Sequence, residues 1–168
     1  MQQGSILTTS AKSLGAALIL SASMVLSGCG DDPAPVATSV EGVIEGITVE
    51  NARVVLAPVE GNPAALYFDF IYEGERRFSL DRFSVAQAES AVMHAFSEYG
   101  GQMTMMEAVP VAVRSGEKVE FKPGDLHVMV MGPSPELTPG STTEVTMKVS
   151  GGDTHVFEAE VRAAGEER

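Results

Sequence analysis

The sequence predicts one all-β domain, a sandwich or barrel of antiparallel strands, from three observations. From Val43 onward, apolar and polar residues alternate with a period near two, as in strands that cover a core on one face. Turn-forming Gly, Pro and Asp residues recur at short intervals along the same stretch. No segment of ten or more residues shows a convincing 3.6-residue helical period, and residues 84–93 could form at most a turn of helix.

Seven strands can be assigned in chain order. The first, residues 64–72, is rich in aromatic side chains, which favour strands. The pair Gly100-Gly101 is a two-residue hairpin signal, Pro123-Gly124-Asp125 separates two short strands, and Gly151-Gly152-Asp153 forms a second hairpin. The strands predicted around these turns are 90–98, 102–109, 118–121, 126–131, 144–149 and 154–161.

The first 29 residues predict export and lipid attachment. Residues 14–26 form an apolar run that follows Lys12 and precedes the first acidic residue, Asp31. This run is too short to cross a bilayer, which takes about 20 residues, and it suits the apolar region of a secretory signal. Leu26-Ser27-Gly28-Cys29 resembles a bacterial lipobox, so we expect residues 1–28 to be the signal and Cys29 to carry the lipid. The alternative is an ordinary signal peptide that contains a Cys.

The rest of the chain is predicted to divide into a tether, a domain and a tail. Residues 29–42 would be the lipidated Cys and a polar, proline-containing tether, residues 43–163 the folded domain, and residues 164–168 a short polar tail. We expect the protein in the bacterial cell envelope, on the periplasmic side, with acyl chains on Cys29 anchoring it to a membrane. The choice between inner and outer membrane stays open, because Gly30 is not the Asp that usually signals inner-membrane retention.

Charge and motifs exclude several functions. The chain has 168 residues and a net charge of −12, which argues against nucleic acid as a general partner. Its single Cys excludes an intramolecular disulfide framework and any Cys-only zinc site. The sequence contains no Gly-x-Ser-x-Gly elbow, no His-Glu-x-x-His motif and no phosphate-binding loop, so we do not expect an enzyme.

Methionine and histidine are concentrated in one part of the chain. Six of the nine Met lie within residues 93–131, together with two of the three His. In the Gly100-Gly101 hairpin, a two-residue loop places Phe96 opposite Met105 and His94 opposite Glu107. Residues directly opposite, or two apart on one strand, share a sheet face. One face therefore carries His94, Phe96, Met103 and Met105, and the other carries Met106, which we expect in the core.

A second His and Met cluster lies on the strand predicted at 126–131. Alternation gives this strand a core face of Leu126, Val128 and Val130. Its other face carries His127, Met129 and Met131. Taken singly, these residues are ordinary, because Met often fills core gaps and a His on a strand is usually solvated or hydrogen bonded. We expect the third His, His155, to have such a structural or solvated role.

The spacing of four of these residues resembles a known signature. His94, ten residues, Met105, twenty-one residues, His127, one residue and Met129 match the pattern H-x10-M-x21-H-x-M of the periplasmic copper chaperone family PCu(A)C. Residues 101–105, 122–132 and 137–140 are also similar to the family, and the resemblance covers residues 46–161. The chain departs from the family at Ala95, where members often have Met or Glu, and in having no Trp.

The resemblance implies a fold, a metal and a role. The fold would be a small antiparallel Greek-key β-sandwich like that of cupredoxins. One Cu(I) ion per chain would be bound by His94, Met105, His127 and Met129, with Met103 and Met131 as auxiliary candidates. Soft thioether sulfur prefers Cu(I) and imidazole suits copper, so the donor chemistry agrees with this metal.

The implied role is delivery of copper to cytochrome c oxidase assembly. The recipient would be the copper subunit of the oxidase or a thiol-containing assembly factor, and we expect the protein to be a monomer. Two alternatives remain open from the sequence, namely a copper storage or resistance lipoprotein and a lipoprotein of the same fold that binds no metal.

Overall fold

A computed structural model describes residues 44–166 as a chain of ten strands. In chain order these are β1 (Ile47–Val55), β2 (Ala64–Tyr72), β3 (Phe78–Val85), β4 (Ala88–Tyr99), β5 (Gln102–Glu107), β6 (Val111–Val113), β7 (Glu117–Phe121), β8 (His127–Pro133), β9 (Thr142–Val149) and β10 (Thr154–Arg162). Within this range no helix is long and apolar enough to cross a membrane. The predicted signal, Cys29, the whole of the predicted tether and the last two residues of the predicted tail lie outside the described residues.

The ten strands form one sheet that closes on itself. Its order is β5-β4-β8-β2-β1-β10-β9-β3-β6, and β7 pairs with β2 beside β8. Phe83 of β3 also pairs with Ala91 of β4, which joins the two ends of the sheet into a barrel-like sandwich. The pairing of β1 with β10 is parallel, whereas the other pairings among the described strands are antiparallel. The predicted all-β class is confirmed.

Each of the seven predicted strands is present, and three further strands were not predicted. These are β1, β3 and β6. The helical turn considered for residues 84–93 was wrong, because these residues end β3 and begin β4. β4 is long and pairs with both β5 and β8, so its backbone groups are satisfied by sheet hydrogen bonds and not by a helical turn.

Alternation along β2 builds the core. Ala64, Leu66, Phe68, Phe70 and Tyr72 are buried, whereas the residues between them are only partly buried. The Phe68 ring stacks on that of Phe121, with centroids 4.1 Å apart. All the buried apolar residues of the described range lie between Ile44 and Val161, so a fragment of residues 39–168 contains this whole core.

The β4–β5 hairpin extends beyond this core. Its turn residues Gly100 and Gly101 have φ of 59° and 83°, the positive values that a two-residue type I′ turn requires. All six residues of β5 are exposed. The expectation that Met106 lies in the core was wrong, because its side chain is 48% exposed and its sulfur accepts a hydrogen bond from the Ser97 hydroxyl at 3.6 Å.

Candidate metal centre

His94 and His127 meet across the pairing of β4 with β8. They are direct partners in the strand register, and their ring centroids lie 6.2 Å apart at an interplanar angle of 29°. On its other side, β4 pairs with β5 in the predicted register, with His94 opposite Glu107 and Phe96 opposite Met105. β4 is therefore the central strand of the site, between β5 and β8.

Met105 and Met129 each occupy a position diagonal to His94. Met105 lies opposite Phe96, two residues along β4 from His94, and Met129 lies opposite Val92, two residues in the other direction. Diagonal neighbours in an antiparallel pair are about 7–8 Å apart at the backbone, within reach of long side chains. The register thus places two thioethers on the sheet face that carries both imidazoles.

The auxiliary candidates lie at the two ends of this face. Met103 is opposite Glu98, and Met131 is opposite Ser90. Each partner is four residues along β4 from His94, a distance of about 13 Å at 3.3 Å per residue. Both side chains are exposed. The structure therefore sets Met103 and Met131 on the outer ends of the site and not beside His94.

His127 is held in a form suited to metal binding. Its side chain is only 4% exposed, and its Nδ1 lies 2.7 Å from the backbone oxygen of Asp125. A carbonyl oxygen only accepts hydrogen bonds, so Nδ1 donates, and in the neutral imidazole Nε2 is the nitrogen with the free lone pair. Metal-binding imidazoles usually donate their other ring nitrogen to such an oxygen, which fixes the tautomer and the ring orientation.

His94 carries an unsatisfied buried nitrogen. Its Nδ1 is buried and has no hydrogen-bond partner among the described residues. Such groups are rare in folded proteins, because an unpaired buried polar atom costs about 1–3 kcal/mol. A metal ion bound at this nitrogen would remove that cost.

Aromatic residues enclose His127. The Phe96 ring lies 5.9 Å from the His127 ring, and the Tyr67 ring lies 6.3 Å from it on the side of β2. The Arg53 guanidinium in turn lies 5.3 Å from the centroid of Tyr67. Sequence reasoning did not find Tyr67 or Arg53, since alternation places Tyr67 on the outer face of β2 but does not reveal that β2 pairs with β8.

Carboxylates do not complete a metal site with these imidazoles. Within residues 44–166, no group of three or more His, Cys, Asp or Glu side chains is placed to hold a metal ion. Glu107 is the cross-strand neighbour of His94, yet it forms no such group. The donors that the register places beside the two His are the thioethers of Met105 and Met129.

His155 lies apart from this centre. It is on β10, which pairs with β1 and β9 and with none of the strands of the site. The side chain is partly buried, its ring lies 6.3 Å from that of Phe157, and burial lowers the pKa of its imidazole below the usual range. Met147, its cross-strand partner, is fully buried in the core.

Comparison with known proteins identifies a family and a fold. Residues 47–161 match the family described as "Putative lipoprotein LpqE-like". The solution structure of Cu(I)-DR1885 from Deinococcus radiodurans is 21% identical, with a TM-score of 0.59 over 79% of this chain and 87% of its own. The copper-bound PCuAC domain from PmoF2 is 22% identical, with a TM-score of 0.57 over 73% and 97% of the two chains.

A metal-free relative has the same fold. The apo PCuAC domain from PmoF1 is 24% identical, with a TM-score of 0.58 over 73% of this chain and 98% of its own. No curated protein matches the sequence. The fold is therefore that of PCuAC domains, which confirms the resemblance and the sandwich expected from the sequence.

Proposed function

The chain belongs to the LpqE-like family, and we propose on this basis that it is a copper chaperone that binds one Cu(I) ion outside the cytoplasm. The ligands in this proposal are His94, Met105, His127 and Met129. Two of the solved structures with the same fold, those of the PmoF2 domain and of Cu(I)-DR1885, are copper-bound, which supports copper as the metal.

One observation carries the proposal. Two imidazoles meet across β4 and β8, one of them with a buried Nδ1 that lacks a partner among the described residues. The other is fixed by its hydrogen bond to Asp125, so that its Nε2 is free for a ligand bond. A purely structural His pair would gain nothing from an unpaired buried nitrogen, whereas a metal site uses it.

The donor chemistry selects the oxidation state. Thioether sulfur is soft and binds Cu(I) in preference to Zn(II), which favours thiolate, imidazole and carboxylate ligands. All four proposed ligands are neutral when they bind the ion, so the site carries only its single charge. The burial cost that a more highly charged complex would incur is thereby avoided. The role is binding and transfer, with no catalytic step.

Delivery is favoured over storage by the exposure of one ligand. An acceptor takes copper from a chaperone by adding its own ligand to the ion before the first ligands leave. Met105 is 42% exposed on an edge strand, where an incoming donor can reach the ion beside it. We therefore propose transfer to cytochrome c oxidase assembly, either to the copper subunit or to a thiol-containing assembly factor.

The proposed setting is the periplasmic side of the bacterial cell envelope. The description of the family as a lipoprotein supports this setting, together with the resemblance of residues 26–29 to a lipobox. In this proposal the lipid on Cys29 anchors a monomeric domain at the surface of a membrane.

Cu(I) titration of residues 39–168 against a competing chelator tests the binding. We expect one equivalent of Cu(I) to bind tightly, with weak binding of Cu(II) and Zn(II), because two of the four donors are thioethers. A domain that binds no Cu(I), or that prefers Zn(II), would contradict the proposal.

Deletion of the gene tests delivery. We expect cytochrome c oxidase activity to fall when copper is limiting and to return when copper is added or the wild-type chain is restored. Complementation with a Met105→Leu/Met129→Leu chain should leave activity low. Normal oxidase activity in the deletion strain, with copper tolerance lost instead, would indicate storage.

A further inference from the structure

We propose that the exposed surface of β4, β5 and β8 around the metal centre is a docking surface for an acceptor protein whose copper site is surrounded by basic residues. The inference rests on the proposed function and adds the kind of partner. The surface, called here the methionine rim, runs along the site from Met103 at one end to Met131 at the other and includes Met106 on the other face of the edge strand β5. Its members are the exposed apolar residues of β4, β5 and β8 and the segment after β5, namely Tyr99, Met103, Met105, Met106, Val109 and Met131.

Most of the exposed large apolar side chains of the described range belong to these strands and the segment after β5. Of the eight large hydrophobic residues that are exposed in the described range, six belong to it. The two others, Val59 and Val156, lie elsewhere in the fold. Concentrated apolar exposure marks interaction surfaces, because monomeric proteins rarely leave large apolar patches in contact with water. Methionine suits such a surface since its flexible, polarizable side chain adapts to different partners.

The charge at the rim has one sign. The strands β4, β5 and β8 contain Glu89, Glu98 and Glu107, all exposed, and no Lys or Arg. Lys122, which precedes the loop before β8, forms ion pairs with Glu120 and Asp125 at 3.0 and 3.8 Å. The three strands around the metal centre therefore carry charge of one sign only.

The negative charge at the rim favours a basic partner protein over a second copy of the chain or an anionic lipid surface. A second copy of the chain would bring Glu98 and Glu107 against the same acidic residues, and an anionic lipid surface would be repelled in the same way. A partner with Lys or Arg around its copper ligands would be attracted, and its approach would be accelerated at low ionic strength. The same complementarity would orient its donor atoms toward Met105.

Transfer to such a partner is a ligand exchange. Two Cu–S bonds to cysteines of the acceptor form as the bonds from the ion to His94, Met105, His127 and Met129 break. Copper remains Cu(I), so no electron is transferred, and the two thiol protons pass to the buffer.

The test measures Cu(I) transfer to two synthetic peptides by stopped flow. Both carry a Cys-x-x-x-Cys motif, flanked by Lys in one and by Glu in the other, and the donor is Cu(I)-loaded residues 39–168. We expect transfer to the Lys peptide to be about tenfold faster at low ionic strength. The difference should shrink at about 0.5 M salt, where the screening length is only a few Å. Equal rates at low salt would overturn the proposal.

Two charge-reversed variants separate docking from net charge. Glu98→Lys/Glu107→Lys should reverse the peptide preference. Glu144→Lys/Glu158→Lys makes the same change of net charge on β9 and β10, which pair with none of the three rim strands, and should keep the wild-type preference. Equal effects of the two variants would show steering by net charge alone and would contradict a docking surface.

A third variant tests whether the apolar side chains of the methionine rim contribute to docking. Met106→Ser should slow transfer several-fold even at high salt and leave Cu(I) affinity unchanged, because Met106 lies on the face of β5 opposite Met105. Unchanged transfer would contradict an apolar docking surface that includes Met106. Self-association of the wild-type chain that Met106→Ser abolishes would overturn the proposal by assigning the rim to a second copy. Cu(I) affinity against the chelator is measured separately, so loss of binding itself would count against the proposed function and not against the rim.

Discussion

Replacement of both Met105 and Met129 by Leu is expected to lower Cu(I) affinity by at least about 100-fold. That loss exceeds the 10- to 100-fold range that follows removal of an outer-shell partner of a metal ligand. The two thioethers are half of the proposed ligand set, and the described residues offer no group of carboxylates around His94 and His127 to replace them. Leu has nearly the volume of Met, so the change should cost less than about 1.5 kcal/mol of stability.

The chain offers a matched control for this variant. Met103→Leu/Met131→Leu makes the same chemical change on the same sheet face, but at positions opposite Glu98 and Ser90, at the far ends of the site. We expect it to change Cu(I) affinity by no more than a few-fold. Affinity is measured by chelator competition, and circular dichroism checks that both variants fold. Equal losses in the two variants, or none in the first, would contradict the ligand assignment.

Local features of the sequence predicted half of the strand geometry at this candidate site. Gly100-Gly101 requires a two-residue turn, which fixes the register of β4 and β5 and places Met105 diagonal to His94. Alternation along β8 separates His127 and Met129 from Val128 and Val130, which are fully buried. These assignments depend only on residues that are close together in the chain, so that sequence reasoning reaches them.

The other half depends on contacts between distant segments. The pairing of His94 with His127 joins strands separated by β5, β6 and β7, and no turn between neighbours specifies it. The only indication of this pairing in the sequence was the spacing of His94, Met105, His127 and Met129, which resembles the signature of a known family. No feature of the sequence indicated that Tyr67 lies beside His127. The prediction that Met106 lies in the core was wrong for a related reason. Alternation indicates which face of a strand a residue occupies, but not whether a core lies beneath that face.

The proposed ligands His127 and Met105 differ in exposure, and this difference bears on the order of ligand release. His127 is enclosed by aromatic rings and fixed by the backbone oxygen of Asp125. Met105 is exposed at the edge of the sheet. In the proposed site, an incoming acceptor would therefore reach the ion from the side of β5, and we expect Met105 to leave the ion first and His127 last.

His94 and His127 also differ in their hydrogen bonding, which predicts different effects of two His substitutions on the stability of the metal-free domain. His94→Leu removes the buried Nδ1 that has no partner in the described range, so the free energy of unfolding should stay unchanged or rise by about 1 kcal/mol. His127→Leu breaks the hydrogen bond to the backbone oxygen of Asp125 in a buried position. This change should lower the free energy of unfolding by about 1–3 kcal/mol. Urea unfolding of the apo domain measures both values.

Cu(I) should stabilise only the wild-type domain. A ligand that binds the folded state raises the free energy of unfolding by an amount that grows with the ratio of its concentration to Kd, about 2.7 kcal/mol at a hundredfold excess over Kd. Both His variants lose a proposed ligand, so their urea midpoints should not move when Cu(I) is added. If His94→Leu instead destabilised the apo domain as much as His127→Leu, then His94 would be a packing residue, because a nitrogen kept for the metal should reduce stability until the metal binds.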